Sequence, residues 1–244
     1  MNGIRVYDDQ LLEEQRRRYA VKNVHEAEEE DLFIQELSQI PHAGSYINIG
    51  TAIGYYAFLA KKNRPDLSIH CFEPLPLHIQ YFKENIELNR FPLEAFHIHP
   101  VAISTSSGTV RFKDETYGSS VVRTNSSLLC RIRALLNRNK PGTDKIIKVR
   151  SISMSKIWSL TGLAEIDFVQ MDVQGFENEI LSQFFADRDA WQSPVRSFLI
   201  GTHSRNLHAA CRKLFTENGY TVIIDEYETS GQPDGILLAR MLSA

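Results

Sequence analysis

The sequence predicts an α/β protein: a mostly parallel sheet with helices on both faces, closed by an antiparallel C-terminal strand. Three observations carry this. From residue 45 onward, apolar runs of strand length alternate with segments of helical period. A glycine-bounded turn, Gly50 to Gly54, joins the first of these strands to its helix. Near the C-terminus, Tyr220–Ile224 and Ile236–Ala239 are spaced as a β-hairpin around Gly231 and Pro233-Asp234-Gly235. Strand–helix repeats build parallel sheets covered on both sides, and a final hairpin contributes the antiparallel strand.

The elements follow in order. Residues 1–44 form a charged helical segment, with helices over Asp8–Tyr19 and His25–Gln39 and with Leu32, Phe33, Leu37 and Ile40 at helical spacing. The acidic run Glu26–Asp31 reads as a solvated first turn that complements the helix dipole. Pro41-His42-Ala43-Gly44 stops that helix, and the domain of residues 45–244 begins. Ser45–Ile49 is its first strand, followed by a helix to Lys62 and a second strand, Leu67–Phe72. Leu77–Asn89 is helical, with Ile79, Phe82, Ile86 and the stem of Lys83 on one face. Ala95–Ile103 reads as a third strand region, and Thr109–Lys113 and Ser119–Val122 as short extra strands.

Residues 123–150 interrupt the rhythm. They hold eight Lys or Arg and one acid, Asp144, a net charge of +7. Leu128, Leu129, Ile132, Leu135 and Leu136 recur at helical spacing, so this insert reads as an amphipathic helix with a basic outer face. Alternation resumes with strand Ile166–Met171, helix Phe176–Phe185, strand Val195–Ile200 and helix Leu207–Asn218.

Composition narrows the function. The 244 residues carry 27 Lys+Arg against 30 Asp+Glu, which argues against a general nucleic-acid binder. No apolar run is long enough to span a bilayer or to serve as a signal peptide. Cys71, Cys130 and Cys211 are widely separated and show no zinc-type spacing. A reducing cytoplasm is the expected compartment.

Two motifs carry chemistry. The Gly50-x-x-x-Gly54 turn lets backbone approach a ligand at the end of the first strand. It lacks the G-x-G-x-x-G spacing of a pyrophosphate turn and the Lys-Ser/Thr of a triphosphate loop, which argues against nicotinamide and nucleoside-triphosphate enzymes. Glu73, 23 residues after Gly50, ends the second strand in Cys71-Phe72-Glu73-Pro74. A carboxylate there can accept both hydroxyls of a ribose, and Pro74 biases Glu73 toward an extended backbone.

These motifs occur in a characteristic order with Glu87-Leu88-Asn89, Val101-Ala102-Ile103-Ser104 and the segment from Ile166 to Glu177, IDFVQMDVQGFE. Over about residues 45–240 the chain resembles the FkbM-type S-adenosylmethionine-dependent methyltransferases. The resemblance implies the Rossmann-like class I methyltransferase fold, a seven-stranded sheet with a reversed final strand. It implies S-adenosyl-L-methionine as cofactor and a hydroxyl of a small molecule, a sugar or secondary metabolite, as acceptor. It places Asn48, Gly50, Ala52, Gly54 and Tyr55 along the cofactor, Glu73 and Pro74 at its ribose, and Val101 and Ala102 beside its adenine. Ser120, next to Ser119, falls near the cofactor, and Gln170, Met171 and Asp172 lie beside the reactive methyl.

The sequence departs from the family pattern at several of these positions. Asn48 stands where the family has Asp, Ala52 where it has Asn, Gln170 where it has Lys and Gln174 where it has Glu; Ser153 takes the place of another Asp. Asn48 can accept or donate a hydrogen bond but offers no charge. These changes keep open a cofactor-binding, non-catalytic partner protein. N- or carboxyl methylation on the same fold is a further alternative.

Methyl transfer to a hydroxyl needs a base, and two candidates end adjacent strands. His203 is the expected base, with a reference pKa near 6.5. Asp172 orients it, binds substrate hydroxyls or caps the helix 176–185. Asp172 could also bind a divalent ion with Glu177, but no metal is assigned, because no second firmly placed ligand appears. The basic insert reads as a solvated helix-turn satellite, with two alternatives: a cover over the site that meets an anionic group on the acceptor, or a contact with anionic lipid heads. The N-terminal helices leave a homodimer open.

Overall fold

The structure is a computed structural model that describes residues 2–22, 27–113, 146–227 and 235–241. A seven-stranded sheet forms its centre. Its strands are β1 (Ser45–Ile49), β2 (Ser68–Phe72), β3 (His97–His99), β7 (Ile166–Met171), β8 (Val195–Thr202), β9 (Thr221–Glu226) and β10 (Gly235–Arg240). They lie in the order β3-β2-β1-β7-β8-β10-β9. Pairing is parallel from β3 through β8, while β10 runs antiparallel to both of its neighbours. Strand order reverses beside β1: the chain leaves it toward β2 and β3, then returns to its other side as β7. Open α/β sheets bind ligands at that crevice, beyond the carboxyl ends of the strands.

Every residue of β1 and β7 is buried, so helices cover both faces. On one face, α2 (Ala27–Leu37), α3 (Tyr55–Asn63) and α4 (Pro76–Leu88) enclose Phe33, Tyr46, Phe58, Phe82 and Phe168. The other face packs α5 (Ile157–Thr161), α6 (Glu177–Ala186) and α7 (Arg205–Glu217) around Trp158, Phe184, Phe198 and Phe215. A further helix, α1, spans Glu13–Lys22. In β1 the period of two sends Tyr46 and Asn48 toward α2 and sends Ile47 and Ile49 the other way. Phe33 of α2 meets Tyr46 at a ring distance of 5.3 Å and Phe168 at 5.6 Å. The N-terminal segment is thus part of the helical layer that covers the sheet.

Four details differ from the sequence reading. Glu29 and Glu30 are only 3 % and 1 % exposed, not a solvated turn, because α2 lies flush against the sheet. The buried face of α4 is His78, Phe82, Asn85 and Ile86, while Lys83 is exposed. The expected single strand over Ala95–Ile103 divides at Pro100, which has no N–H to give a ladder. Its first part is β3; its second, β4 (Ala102–Ser104), joins a separate sheet in which β6 (Ile146–Ser153) lies between β4 and β5 (Gly108–Lys113). The last residues of the basic stretch, 146–150, therefore lie in a strand. Lys148 and Arg150 are exposed there and Val149 buried, an alternation the charge count concealed. Ser119–Val122, Ser120 and the expected helix over Leu128–Leu136 lie outside the described residues.

At the sheet edge, His70 of β2 stacks on His97 of β3 with ring centroids 4.4 Å apart. Its Nδ1 is 3.0 Å from His99 Nε2, and its Nε2 is 3.1 Å from Ser68 Oγ. Burial, reinforced by the neighbouring histidines, pushes the His70 pKa down to about 3, and burial lowers His99 as well. In the unfolded chain these groups bind protons below about pH 6.5. Folding is then favoured above that pH and loses stability as pH falls from 6.5, down to about 3 for His70, because the unfolded chain takes up protons that the folded histidines do not. Denaturant midpoints should drop between pH 7.5 and pH 5, and His70→Gln should flatten that slope. An unchanged slope in the variant would remove His70 as its source.

Candidate active site

The crevice beside β1 is a cleft enclosing about 1010 Å³, its open mouth included. Its floor depends on one close approach. Gly50 has φ +83°, and a Cβ there would lie 1.9 Å from the Asp172 carbonyl oxygen. Only glycine lets the tips of β1 and β7 meet. The Asp172 N–H donates to the Ile49 carbonyl at 3.1 Å, and the Gly50 N–H donates to the Phe72 carbonyl at 3.0 Å. The second glycine of the turn acts differently: at φ +95°, Gly54 precedes α3, and a Cβ would strike Phe82 at 2.2 Å.

Glu73 at the tip of β2 is 3 % exposed and firmly held. Its Oε2 accepts from the Ala52 N–H at 2.8 Å and its Oε1 from the Leu75 N–H at 2.9 Å, with His78 Nδ1 3.3 Å away. A carboxylate has about four acceptor positions, so this one can still receive donors from a ligand.

Deeper in the cleft, Asn48 Nδ2 donates to Gln170 Oε1 at 2.7 Å, and the Tyr46 hydroxyl donates to the same oxygen at 2.9 Å. Gln170 Nε2 donates to Glu29 Oε1 at 2.9 Å, across 141 residues of sequence. The Oδ1 of Asn48 is buried without a hydrogen-bond partner. Burial, and next the charges of Cys71 and Glu29, raise the Tyr46 pKa.

At the adjoining strand tips, Asp172 follows β7 and His203 follows β8. His203 Nε2 lies 3.0 Å from Asp172 Oδ1 and 3.5 Å from Glu177 Oε1. Gln174 Nε2 also donates to Asp172 Oδ1, at 2.9 Å. Burial pushes the Asp172 pKa up, but the hydrogen bond and charge of His203, with Gln174, outweigh it and leave it below the usual value. Capping of this loop falls to Glu177 rather than Asp172: Glu177 Oε1 accepts from the Val173 N–H at 2.9 Å and the Gly175 N–H at 3.1 Å. Asp172, Glu177 and His203 each offer a ligand atom within 4.8 Å of the others, a set that could hold a divalent cation.

A family model described as the methyltransferase FkbM domain matches residues 48–222. The chain belongs to the FkbM methyltransferase family. It is 22 % identical over 224 residues to methyltransferase sdnD of Sordaria araneosa, covering 84 % of each chain. Among solved structures it resembles the precorrin-6y C5,15-methyltransferase of Geobacter metallireducens, with a TM-score of 0.54, 11 % identity and 99 % and 98 % of the two chains covered. It also resembles the delta-N METTL16 methyltransferase domain, with a TM-score of 0.52, 12 % identity and 91 % and 84 % covered. At such identities the likeness to solved structures is one of fold.

The cofactor of this FkbM methyltransferase is S-adenosylmethionine, and the cleft fits it. Asn48, with a buried acceptor oxygen that has no partner, and Glu73, a carboxylate with spare lone pairs, both belong to its lining. Asn48, Gly50, Ala52, Tyr55 and Glu73 all line it. So do Pro74, Ala102, Gln170 and Asp172. Gly54 stands behind the wall, between α3 and α4. Val101 and Met171, 3 % and 0 % exposed, belong to the core under the opposite helices. His203 stands beside Asp172, not on the lining itself.

Sequence reasoning missed His78, Phe112 and Glu29. His78 was marked only by its place one turn into α4, five residues after Glu73. Phe112 enters the cleft from the second sheet, which local pattern does not reveal. Glu29 was hidden among exposed-looking acids. No helix among the described residues is long and apolar enough to cross a membrane.

Proposed function

We propose that this protein is an O-methyltransferase, transferring a methyl group from S-adenosylmethionine to a hydroxyl of a small molecule, a sugar or secondary metabolite. The observation that carries this reading is the Asp172–His203 pair at the end of the cleft, 3.0 Å apart. When bound, the cofactor supplies an electrophilic sulfonium methyl. Glu73 would receive its ribose hydroxyls, Asn48 would accept from its methionine end, and Ala102 would border its base.

Displacement at a methyl carbon requires the attacking oxygen to be held in line, about 3 Å away. Asp172, half-buried in the cleft lining and held below the usual carboxylate pKa, accepts the acceptor's hydrogen bond. The hydroxyl proton passes to the His203 imidazole, whose Nε2 faces the carboxylates of Asp172 and Glu177. The imidazolium that results is stabilised by Asp172 and Glu177.

The test is calorimetric titration with S-adenosylhomocysteine, followed by methyl transfer from labelled cofactor to a panel of hydroxylated acceptors. A base-stable methyl ether supports the reading. A base-labile ester or an N-methyl product replaces it with the alternative transfer. Tight binding with no turnover on sugars, phenols or alcohols favours a non-catalytic partner protein.

A further inference from the structure

Hydrogen-bond polarity runs through the buried chain Glu29–Gln170–Asn48 in one direction only. An ionised carboxylate can only accept, so Glu29 obliges Gln170 to present its NH₂ group, at 2.9 Å. The Gln170 carbonyl must then face β1, where it receives both Asn48 Nδ2 and the Tyr46 hydroxyl. Asn48, one of the cleft's lining residues, turns its NH₂ group toward Gln170 and its oxygen away from it. That oxygen is the buried, unpartnered Oδ1. Turning either amide over would set carbonyl against carboxylate or carbonyl against carbonyl in a buried place, where Glu29, Asn48 and Gln170 are 3 %, 3 % and 2 % exposed.

We infer that Glu29 is a positioning residue for the cofactor: acting through Gln170, it locks Asn48 as an acceptor and so selects the ammonium group of the methionine portion. The inference rests on S-adenosylmethionine being the occupant of this cleft. It extends the cofactor site to α2, which lies before the 48–222 family match. It also explains how a neutral Asn48 serves a cationic group. The charge sits two hydrogen bonds back, on the helix, and reaches the cleft as a fixed dipole direction.

A glutamine side chain in place of this glutamate can donate as well as accept, so Glu29→Gln releases the lock without removing side-chain volume. Its affinity for S-adenosylhomocysteine should fall about ten-fold, the scale of one hydrogen bond to a charged group. Affinity for 5′-methylthioadenosine, which has no amino-acid portion, should change less than about two-fold. Asn48→Asp alone should also weaken binding, because it sets a carboxylate against the Gln170 carbonyl. In the double variant Gln170 can turn over, donating to the carboxylate introduced on β1 and accepting from the amide introduced on α2. Binding of S-adenosylhomocysteine should then recover to within about three-fold of wild type.

Equal losses for both ligands, additive losses in the double variant, or wild-type affinity in Glu29→Gln would each overturn the inference. If Glu29→Gln melts too low to titrate, the same recovery is read from the melting temperature of the double variant, and its absence counts against the relay. Failure of the wild-type protein to bind S-adenosylhomocysteine is a different result: it overturns the cofactor reading, and this inference with it.

Discussion

Replacing His203 with alanine should lower the rate of methyl transfer at least about 100-fold, the usual weight of a general base, while affinity for S-adenosylhomocysteine stays within about two-fold. The separation follows from where His203 stands. It pairs with Asp172 and Glu177 and is not among the residues lining the cleft, so its loss should leave the cofactor half intact. The loop after β7 should hold its shape as well, because Glu177 caps it through the Val173 and Gly175 N–H groups without help from the imidazole. Single-turnover rates and calorimetry on the same preparation check both halves of the expectation. Full turnover by the variant removes His203 from the mechanism. A parallel collapse of cofactor affinity shows that it is holding the cleft together.

Glu73→Ala should produce the opposite pattern, weakening S-adenosylhomocysteine by about 30-fold or more through the loss of two hydrogen bonds to a charged acceptor. Part of that loss comes from the protein's own geometry. Without the carboxylate, the Ala52 and Leu75 N–H groups lose their acceptor and His78 loses its ionic neighbour. Glu73→Gln separates the two contributions, since its amide oxygen still accepts and its volume is unchanged. Titration of both variants with S-adenosylhomocysteine and with adenosine measures them. Undiminished affinity in Glu73→Ala would end the assignment of Glu73 to the ribose.

Much of the sheet was legible because its central strands are short apolar runs with clear boundaries. Ser45–Ile49 and Ile166–Met171 match the expected limits at both ends, one closed by Gly50 and the other by Asp172. Pro100 was visible too, but only the second sheet explains why the chain changes direction there. β6 was obscured because Lys148 and Arg150 raised the local charge while occupying the outward positions of an ordinary alternating strand. The site divided in the same way. Glu73 and the glycine turn are local signals, readable from spacing. The 3.0 Å approach of His203 to Asp172 requires β7 and β8 to be neighbours, which sequence suggests without giving distances. Glu29 required a partner 141 residues away, and a local charge pattern gives an acid no reason to be buried.

The meeting of Gly50 with the Asp172 backbone has a consequence for how this enzyme can vary. On the proposed assignment, the cofactor seat and the carboxylate that meets the acceptor are riveted at one point: Gly50 has no room for a side chain, and Asp172 hangs from the Ile49 carbonyl. The two halves of the reaction therefore share a single mechanical reference, and a shift of one tip carries the other with it. On that reading, acceptor preference can drift through the surrounding loops while the two strand tips keep their spacing.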